Sequence, residues 1–125
     1  MKEVKYYRCP VCGNVIEVVK GNVNLVKCCG QTPVLMEANT VDAAVEKHVP
    51  VYEIEGEEIV VKVGEVIHPM EDAHYITFIT LVTNDRVIRV DLKPGDEPVV
   101  RLPYVSGSVI YEYCNLHGLW KNEVK

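Results

Sequence analysis

The chain has 125 residues, 48% of them hydrophobic and 25% charged, with a formal net charge of -5; that length supports one ordinary core plus a small appendage held by something other than apolar burial. The acidic balance speaks against a nucleic-acid binder, which needs a basic face for phosphates. No run approaches the roughly 18 apolar residues needed to span a bilayer, and the opening Met1-Lys2-Glu3-Val4-Lys5-Tyr6-Tyr7 lacks the apolar centre of a signal peptide. The expectation is a cytoplasmic protein with neither membrane nor nucleic-acid partner, in a compartment where cysteines serve as ligands more often than as disulfides.

In chain order, Cys9-Pro10-Val11-Cys12-Gly13-Asn14 reads as a metal knuckle, residues 15–19 as a strand, Lys20-Gly21-Asn22 as a turn and Cys28-Cys29-Gly30 as a second knuckle. The predicted pattern is knuckle, hairpin, knuckle. Some 35 residues bury too little apolar surface to offset their ordering entropy, so bound metal is expected to supply much of this region's folding free energy.

The texture changes near residues 33–40. Asn39-Thr40-Val41-Asp42-Ala43-Ala44-Val45-Glu46 reads as a short helical turn, capped by Asn39 or Thr40, with Asp42 near its positive end and Pro50 limiting it. Strands are then predicted at 51–54, 59–63, 75–82, 87–92, 98–102 and 108–113, separated by Gly56, Gly64, Asn84-Asp85, Pro94-Gly95 and Ser106-Gly107. Short strands at this spacing without long helices predict an antiparallel sandwich or barrel.

Two ligand sets use every cysteine and histidine of the chain: Cys9, Cys12, Cys28 and Cys29 in the first, and His48, His68, His74, Cys114 and His117 in the second. Two thiolates on each of two tight knuckles can close a tetrahedron. From spacing alone, structural zinc is the default occupant, iron the second and disulfides the weakest, since adjacent Cys28 and Cys29 could bond to each other only with strain. A lone histidine is more often a surface or hydrogen-bonded residue than a ligand. Four in one β region, two beside prolines and one three residues from a cysteine, favour a second metal site. A soft tetrathiolate set and a histidine-rich set suit different metal electronics, and their coexistence points to a redox metalloenzyme.

The same residues carry a resemblance to desulfoferrodoxin, the two-iron form of superoxide reductase, over essentially the whole length. It rests on Cys9-x-x-Cys12 with Cys28-Cys29, on residues 39–44 leading into Glu46-Lys47-His48-Val49-Pro50, on His68-Pro69-Met70 with His74-Tyr75-Ile76, on Leu92-Lys93-Pro94-Gly95-Asp96, and on Cys114-Asn115-Leu116-His117-Gly118-Leu119-Trp120. The resemblance implies a mainly β chain: a small desulforedoxin-like metal-binding domain over 1–36, then an immunoglobulin-like antiparallel β-sandwich over 37–125. It implies two irons: one held by Cys9, Cys12, Cys28 and Cys29, where zinc could substitute, and a catalytic one with His48, His68, His74 and His117 equatorial and Cys114 axial. The implied activity is superoxide reductase: one-electron reduction of superoxide to hydrogen peroxide at ferrous iron, without dioxygen, in oxidative-stress defence.

The resemblance also gives Lys47 a role in superoxide binding and Glu46 one in closing onto ferric iron after turnover. It implies a rubredoxin-like electron donor and a homodimer. By charge count, neutral histidines and one thiolate leave a ferrous site at about +1, to which Lys47 adds a positive charge on an otherwise acidic protein. Without His48 beside them, Glu46 and Lys47 would read as a solvated charge pair. Trp120, Leu116 and Leu119 are expected to pack around the Cys114 to His117 loop, Met70 to fill a loop, and Glu53, Glu55, Glu57 and Glu58 to form a solvated hairpin. The rival readings are a pure electron carrier and a zinc-stabilised interaction module.

Overall fold

The computed structural model describes residues 3–41, 45–66 and 68–125, the side chains of Val45 and Glu46 excepted. The chain forms two compact units, Glu3–Glu37 and Ala38–Lys125.

In the first unit, β1 (Tyr6–Arg8) is the central strand, with β2 (Val15–Glu17) on one side and β3 (Val34–Leu35) on the other, both antiparallel. The turn at residues 20–22 is not followed by a returning strand. The partner of β2 lies across the cysteine knuckle, with Tyr7 opposite Ile16, because the knuckle itself closes the hairpin. Only Val4, Tyr6, Val23 and Cys9 are buried hydrophobics here, while Val11, Val19, Leu25, Val34 and Leu35 are exposed. So small a core cannot hold the unit together by itself.

The second unit is an antiparallel sandwich of two sheets. One has the order β10-β9-β6-β7 and the other β4-β5-β8, built from β4 (Pro50–Glu55), β5 (Glu58–Val63), β6 (Ile76–Val82), β7 (Val87–Asp91), β8 (Val99–Pro103), β9 (Val109–Cys114) and β10 (Gly118–Glu123). Seven strands split four and three make the sandwich immunoglobulin-like. Alternation brings Ile59, Val61 and Val63 of β5 and Val100 and Leu102 of β8 against Ile79 and Leu81 of β6 and Ile110 of β9. Continued alternation would turn Thr77 inward next. A register shift between Ile76 and Phe78 instead places Ile76 in the core, rephasing β6 just after His74.

The helical turn α1 (Val45–His48) is short and lies later than its sequence signal. Asp42 lies outside the described residues. Asn39 is no cap: at φ 63 its side chain accepts from Lys121 N (2.8 Å) and donates to Lys121 O (3.2 Å), binding it to β10. The strand β10 itself was not predicted. It pairs with β9 along its length, Gly118 opposite Cys114 and Glu123 opposite Val109, so Trp120 and Leu119 are strand residues, buried, whereas Leu116 is 59% exposed and packs on nothing substantial. Among the described residues no helix is long and apolar enough to cross a membrane.

Candidate metal centres

In the first unit, Cys9 follows β1 and its backbone N–H bonds to Asn14 O (2.9 Å) while Gly13 N bonds back to Cys9 O (3.0 Å), forming a tight loop. The Cys12 N–H points at Cys9 Sγ from 3.5 Å. Cys28 and Gln31 exchange backbone hydrogen bonds at 2.8 and 3.0 Å, and the residues between them, Cys29 and Gly30, both have positive φ, 53° and 75°. Two such residues make a primed turn. For Cys29 that conformation costs on the order of 1 kcal/mol, and it presents two adjacent thiols to one point.

The four thiols converge there, their ligand atoms within 4.8 Å of one another. Cys12 Sγ and Cys28 Sγ are 3.5 Å apart, near the sulfur spacing of about 3.8 Å that a tetrahedron with metal–sulfur bonds of about 2.3 Å requires. Asn14 Nδ2 donates to Cys28 Sγ at 3.6 Å. The thiols divide in acidity: the Cys12 backbone N–H brings Cys9 down to about 6, while hydrogen bonding with Cys9 and Cys12 pushes Cys28 up to about 12. One thiolate forms readily, while Cys28 and Cys29 resist a second negative charge, a resistance that a bound cation removes.

The second cluster draws on four separate segments of the sandwich unit. His48 ends α1, His68 and His74 bracket the loop before β6, Cys114 ends β9, and His117 closes the three-residue link to β10. Gly118 permits that link: its φ is +82°, and a Cβ there would lie 3.1 Å from Val41 Cγ2. The four imidazoles form a closed cycle in which each ring stands nearly perpendicular to the next, from His48 to His68 (75°), His74 (81°), His117 (76°) and back to His48 (81°).

His48 Nε2 lies 3.0 Å from His117 Nδ1 and 3.2 Å from His68 Nε2, with Cys114 Sγ 3.9 Å from His117 Nδ1. A square of nitrogens with a 3.0 Å edge has its centre about 2.1 Å from each corner, the length of a metal–imidazole bond. His68 Nδ1–H donates to Pro69 O at 2.7 Å, leaving the Nε2 lone pair facing the centre. His74 Nε2 is buried with no hydrogen-bond partner. Four nitrogens and one sulfur therefore converge as donors, and the set fits a metal ion of borderline softness such as iron.

Electrostatics favour the donor forms of the rings. Burial brings His68 down to about 4, against the Pro69 hydrogen bond, and burial also lowers His74, with His117 and Lys47 contributing and Glu71 opposing. Both rings are neutral at pH 7. Burial raises the Cys114 thiol, opposed by the backbone N–H groups of Leu116 and His117. Trp120 Nε1 donates to His117 O at 3.0 Å and its ring stacks on His48 at 5.0 Å. Lys47, exposed, stands beside His48 in the last turn of α1. The Glu46 side chain lies outside the described residues.

Comparison with known proteins agrees with this geometry. Residues 40–123 match the family model described as desulfoferrodoxin, and residues 1–36 match that of the desulfoferrodoxin N-terminal domain. The chain belongs to the desulfoferrodoxin family. It is 49% identical to a desulfoferrodoxin homolog of Archaeoglobus fulgidus, covering 98% of this chain and 99% of that one, and 47% identical to the desulfoferrodoxin of Syntrophotalea carbinolica, covering 98% of each. Among solved structures it resembles the superoxide reductase of Treponema pallidum, with TM-score 0.76, 32% identity and coverage of 98% and 100%.

The structure brings all nine of the cysteines and histidines selected from the sequence into two clusters. Sequence reading missed Glu112, fully buried beside the second cluster with both carboxylate oxygens unpartnered. Burial pushes its pKa well above the ordinary carboxylate range. Its signal was available: in Ile110-Tyr111-Glu112-Tyr113-Cys114 the strand alternation places Glu112 on the face of Ile110 and Cys114. Met70 Sδ accepts the Ile76 N–H at 3.4 Å and packs against the core, a loop-filling use rather than ligation.

Proposed function

We propose that the protein is a superoxide reductase, with a catalytic iron held by His48 Nε2, His68 Nε2, His74 Nε2, His117 Nδ1 and Cys114 Sγ. The observation carrying this reading is the closed cycle of four imidazoles around one point with a buried thiol joining them. Ferrous iron held by that set would supply the one electron by which superoxide, taking up two protons, becomes hydrogen peroxide without release of dioxygen. The residues do the rest. Neutral His68 and His74 present lone pairs, the Leu116 and His117 N–H groups stabilise the Cys114 thiolate, and Lys47 offers a positive charge that draws a small anion toward the histidines. Glu46, in the same turn, is assigned to closing the site after turnover.

The division of labour follows the two clusters. Residues 1–36 form the tetrathiolate domain, holding iron through Cys9, Cys12, Cys28 and Cys29 with zinc as an acceptable substitute, and residues 37–125 form the catalytic domain. A rubredoxin-like electron-transfer protein re-reduces the iron, and the chain works as a homodimer in the cytoplasm as part of oxidative-stress defence. Exposed Leu25, Val19 and Val34 in so small a unit support self-association, and five free thiols support a reducing compartment.

The test is metal content, visible spectrum and reaction with superoxide for wild type and Cys114→Ser. Two irons per chain, a long-wavelength thiolate-to-iron band absent from the variant, and peroxide formed without dioxygen are expected. A colourless, zinc-only protein inert to superoxide would sink the reading.

A further inference from the structure

The loop that carries His74 is fastened to the hairpin that carries Cys114 and His117 by one residue. Asn115 Nδ2 donates to Ala73 O at 3.0 Å, and Asn115 Oδ1 accepts the Tyr75 N–H at 2.9 Å. The Asn115 backbone N–H donates to Tyr75 O at 3.2 Å. The residues immediately before and after His74 are thus gripped by the residue immediately after Cys114. The ladder between β6 and β9 supplies only that backbone bond past its terminal pair, Ile76 with Cys114, and the register is already shifted between Ile76 and Phe78. Asn115 takes the carbonyl of Ala73 and the N–H of Tyr75, one with each end of its amide.

On its other side the His74 loop is held at Met70, whose O accepts the Gly95 N–H at 2.9 Å and whose Sδ accepts the Ile76 N–H at 3.4 Å, and by a two-bond bridge within itself, Glu71 N to His74 O at 2.9 Å and His74 N to Glu71 O at 3.0 Å. That bridge shapes the loop without connecting it to the other ligands. Ala73 is exposed, and His74 and Tyr75 are only half-buried, so packing does not immobilise the segment. His68, by contrast, is buried with its Nδ1 bound to Pro69 O, and His48 is buried with Trp120 stacked on it. His74 is the ligand candidate whose position depends most on a single hydrogen-bonding side chain.

We propose that Asn115 is a positioning residue that clamps the His74 loop to the Cys114 hairpin, so that the His74 imidazole and the Cys114 thiol keep one fixed relation. Asn115 touches no reacting atom. Its effect is read in how tightly the site keeps iron and in the thiolate-to-iron band, since moving the hairpin moves Cys114. Loss of an outer partner of this kind costs about 10–100-fold in metal affinity. The inference rests on the assignment of His74 and Cys114 as iron ligands.

The experiment loads the full chain with iron and follows its loss to a chelator in wild type, Asn115→Ala and Asn115→Asp. Decay of the long-wavelength thiolate band reports the catalytic site, and the absorption of the tetrathiolate iron in the same chain serves as internal reference. Asn115→Ala should lose catalytic iron about 10–100-fold faster than wild type, with a shifted band. Asn115→Asp, nearly isosteric and able to keep the bond from Tyr75 N but not that to Ala73 O, should fall between. The tetrathiolate signal and the melting temperature of the sandwich should change little. Wild-type release rates and band positions in both variants would overturn the proposal, as would iron loss that merely tracks a fall in melting temperature. A wild-type chain lacking the thiolate band would instead overturn the ligand assignment.

Discussion

The two clusters are built on opposite plans. The thiol cluster takes four ligands from within 21 consecutive positions, leaves Cys12 and Cys29 exposed, and sits in a unit with four buried hydrophobics. The imidazole cluster takes its ligands from positions as far apart as 48 and 117, buries His48, His68 and Cys114, and stands on a sandwich whose core draws only Cys114 from it. In the first, the metal completes the fold. In the second, the fold prearranges the ligands for the metal. The difference follows from surface and volume: a short segment cannot exclude enough water from apolar groups to order itself, whereas a seven-stranded sandwich can.

Metal removal should separate the two most sharply. Structural tetrathiolate binding contributes on the order of 10 kcal/mol in small metal-dependent domains, so stripping both metals should abolish amide-exchange protection in β1 and β2. Protection in β5, β6 and β9 should persist. Equal loss of protection in both regions would erase the contrast.

Glu112 sharpens the same comparison from inside the sandwich. Its folded pKa lies well above the ordinary carboxylate range because of burial, so between the unfolded value and the raised one the folded state binds more protons than the unfolded one. Stability from this group is complete below the unfolded value and falls as pH rises through the raised one, by at most about 1.4 kcal/mol per pH unit. The stability of wild type relative to Glu112→Gln should therefore decline with rising pH, in chemical denaturation measured on matched samples. The difference also cancels the opposing contribution of His68, whose lowered value makes stability rise with pH toward its unfolded value. A pH-independent difference would mean that Glu112 is not buried as an acid.

Lys47 should have the smallest effect, confined to one step. Lys47→Ile removes the positive charge beside His48 and should slow the superoxide-binding step by about tenfold at low salt, less at high salt, with iron content and the thiolate band unchanged. Stopped-flow or pulse-radiolysis rates across ionic strength would check it. A rate equal to wild type would leave Lys47 a solvated side chain.

Much of this molecule was legible from residue types and spacing. Cys-x-x-Cys with a Cys-Cys pair announces a local cluster because its ligands are sequence neighbours. Alternation marked six of the sandwich strands because a half-buried strand has period two. The strand β10 escaped because Gly118-Leu119-Trp120-Lys121-Asn122-Glu123 shows little alternation and follows a glycine whose turn reads as a loop. Asn39 read as a helix cap because the same side chain that caps helices can pair with a strand, and only a neighbour distant in sequence, Lys121, decides between the two uses. Leu116 was expected to pack and is exposed, in the middle of the three-residue link between β9 and β10.

What the sequence by itself determined is the chemical inventory: nine soft and borderline donors, a β pattern and an acidic chain, all properties of single residues and their near neighbours. Only the tertiary structure decided which nitrogen of each ring faces the centre, that the imidazoles close into a cycle, that Glu112 lies buried without partners, and that one asparagine joins two ligand loops. These depend on pairings between residues tens of positions apart, whose register and burial are set by the packing of two sheets and not by local pattern.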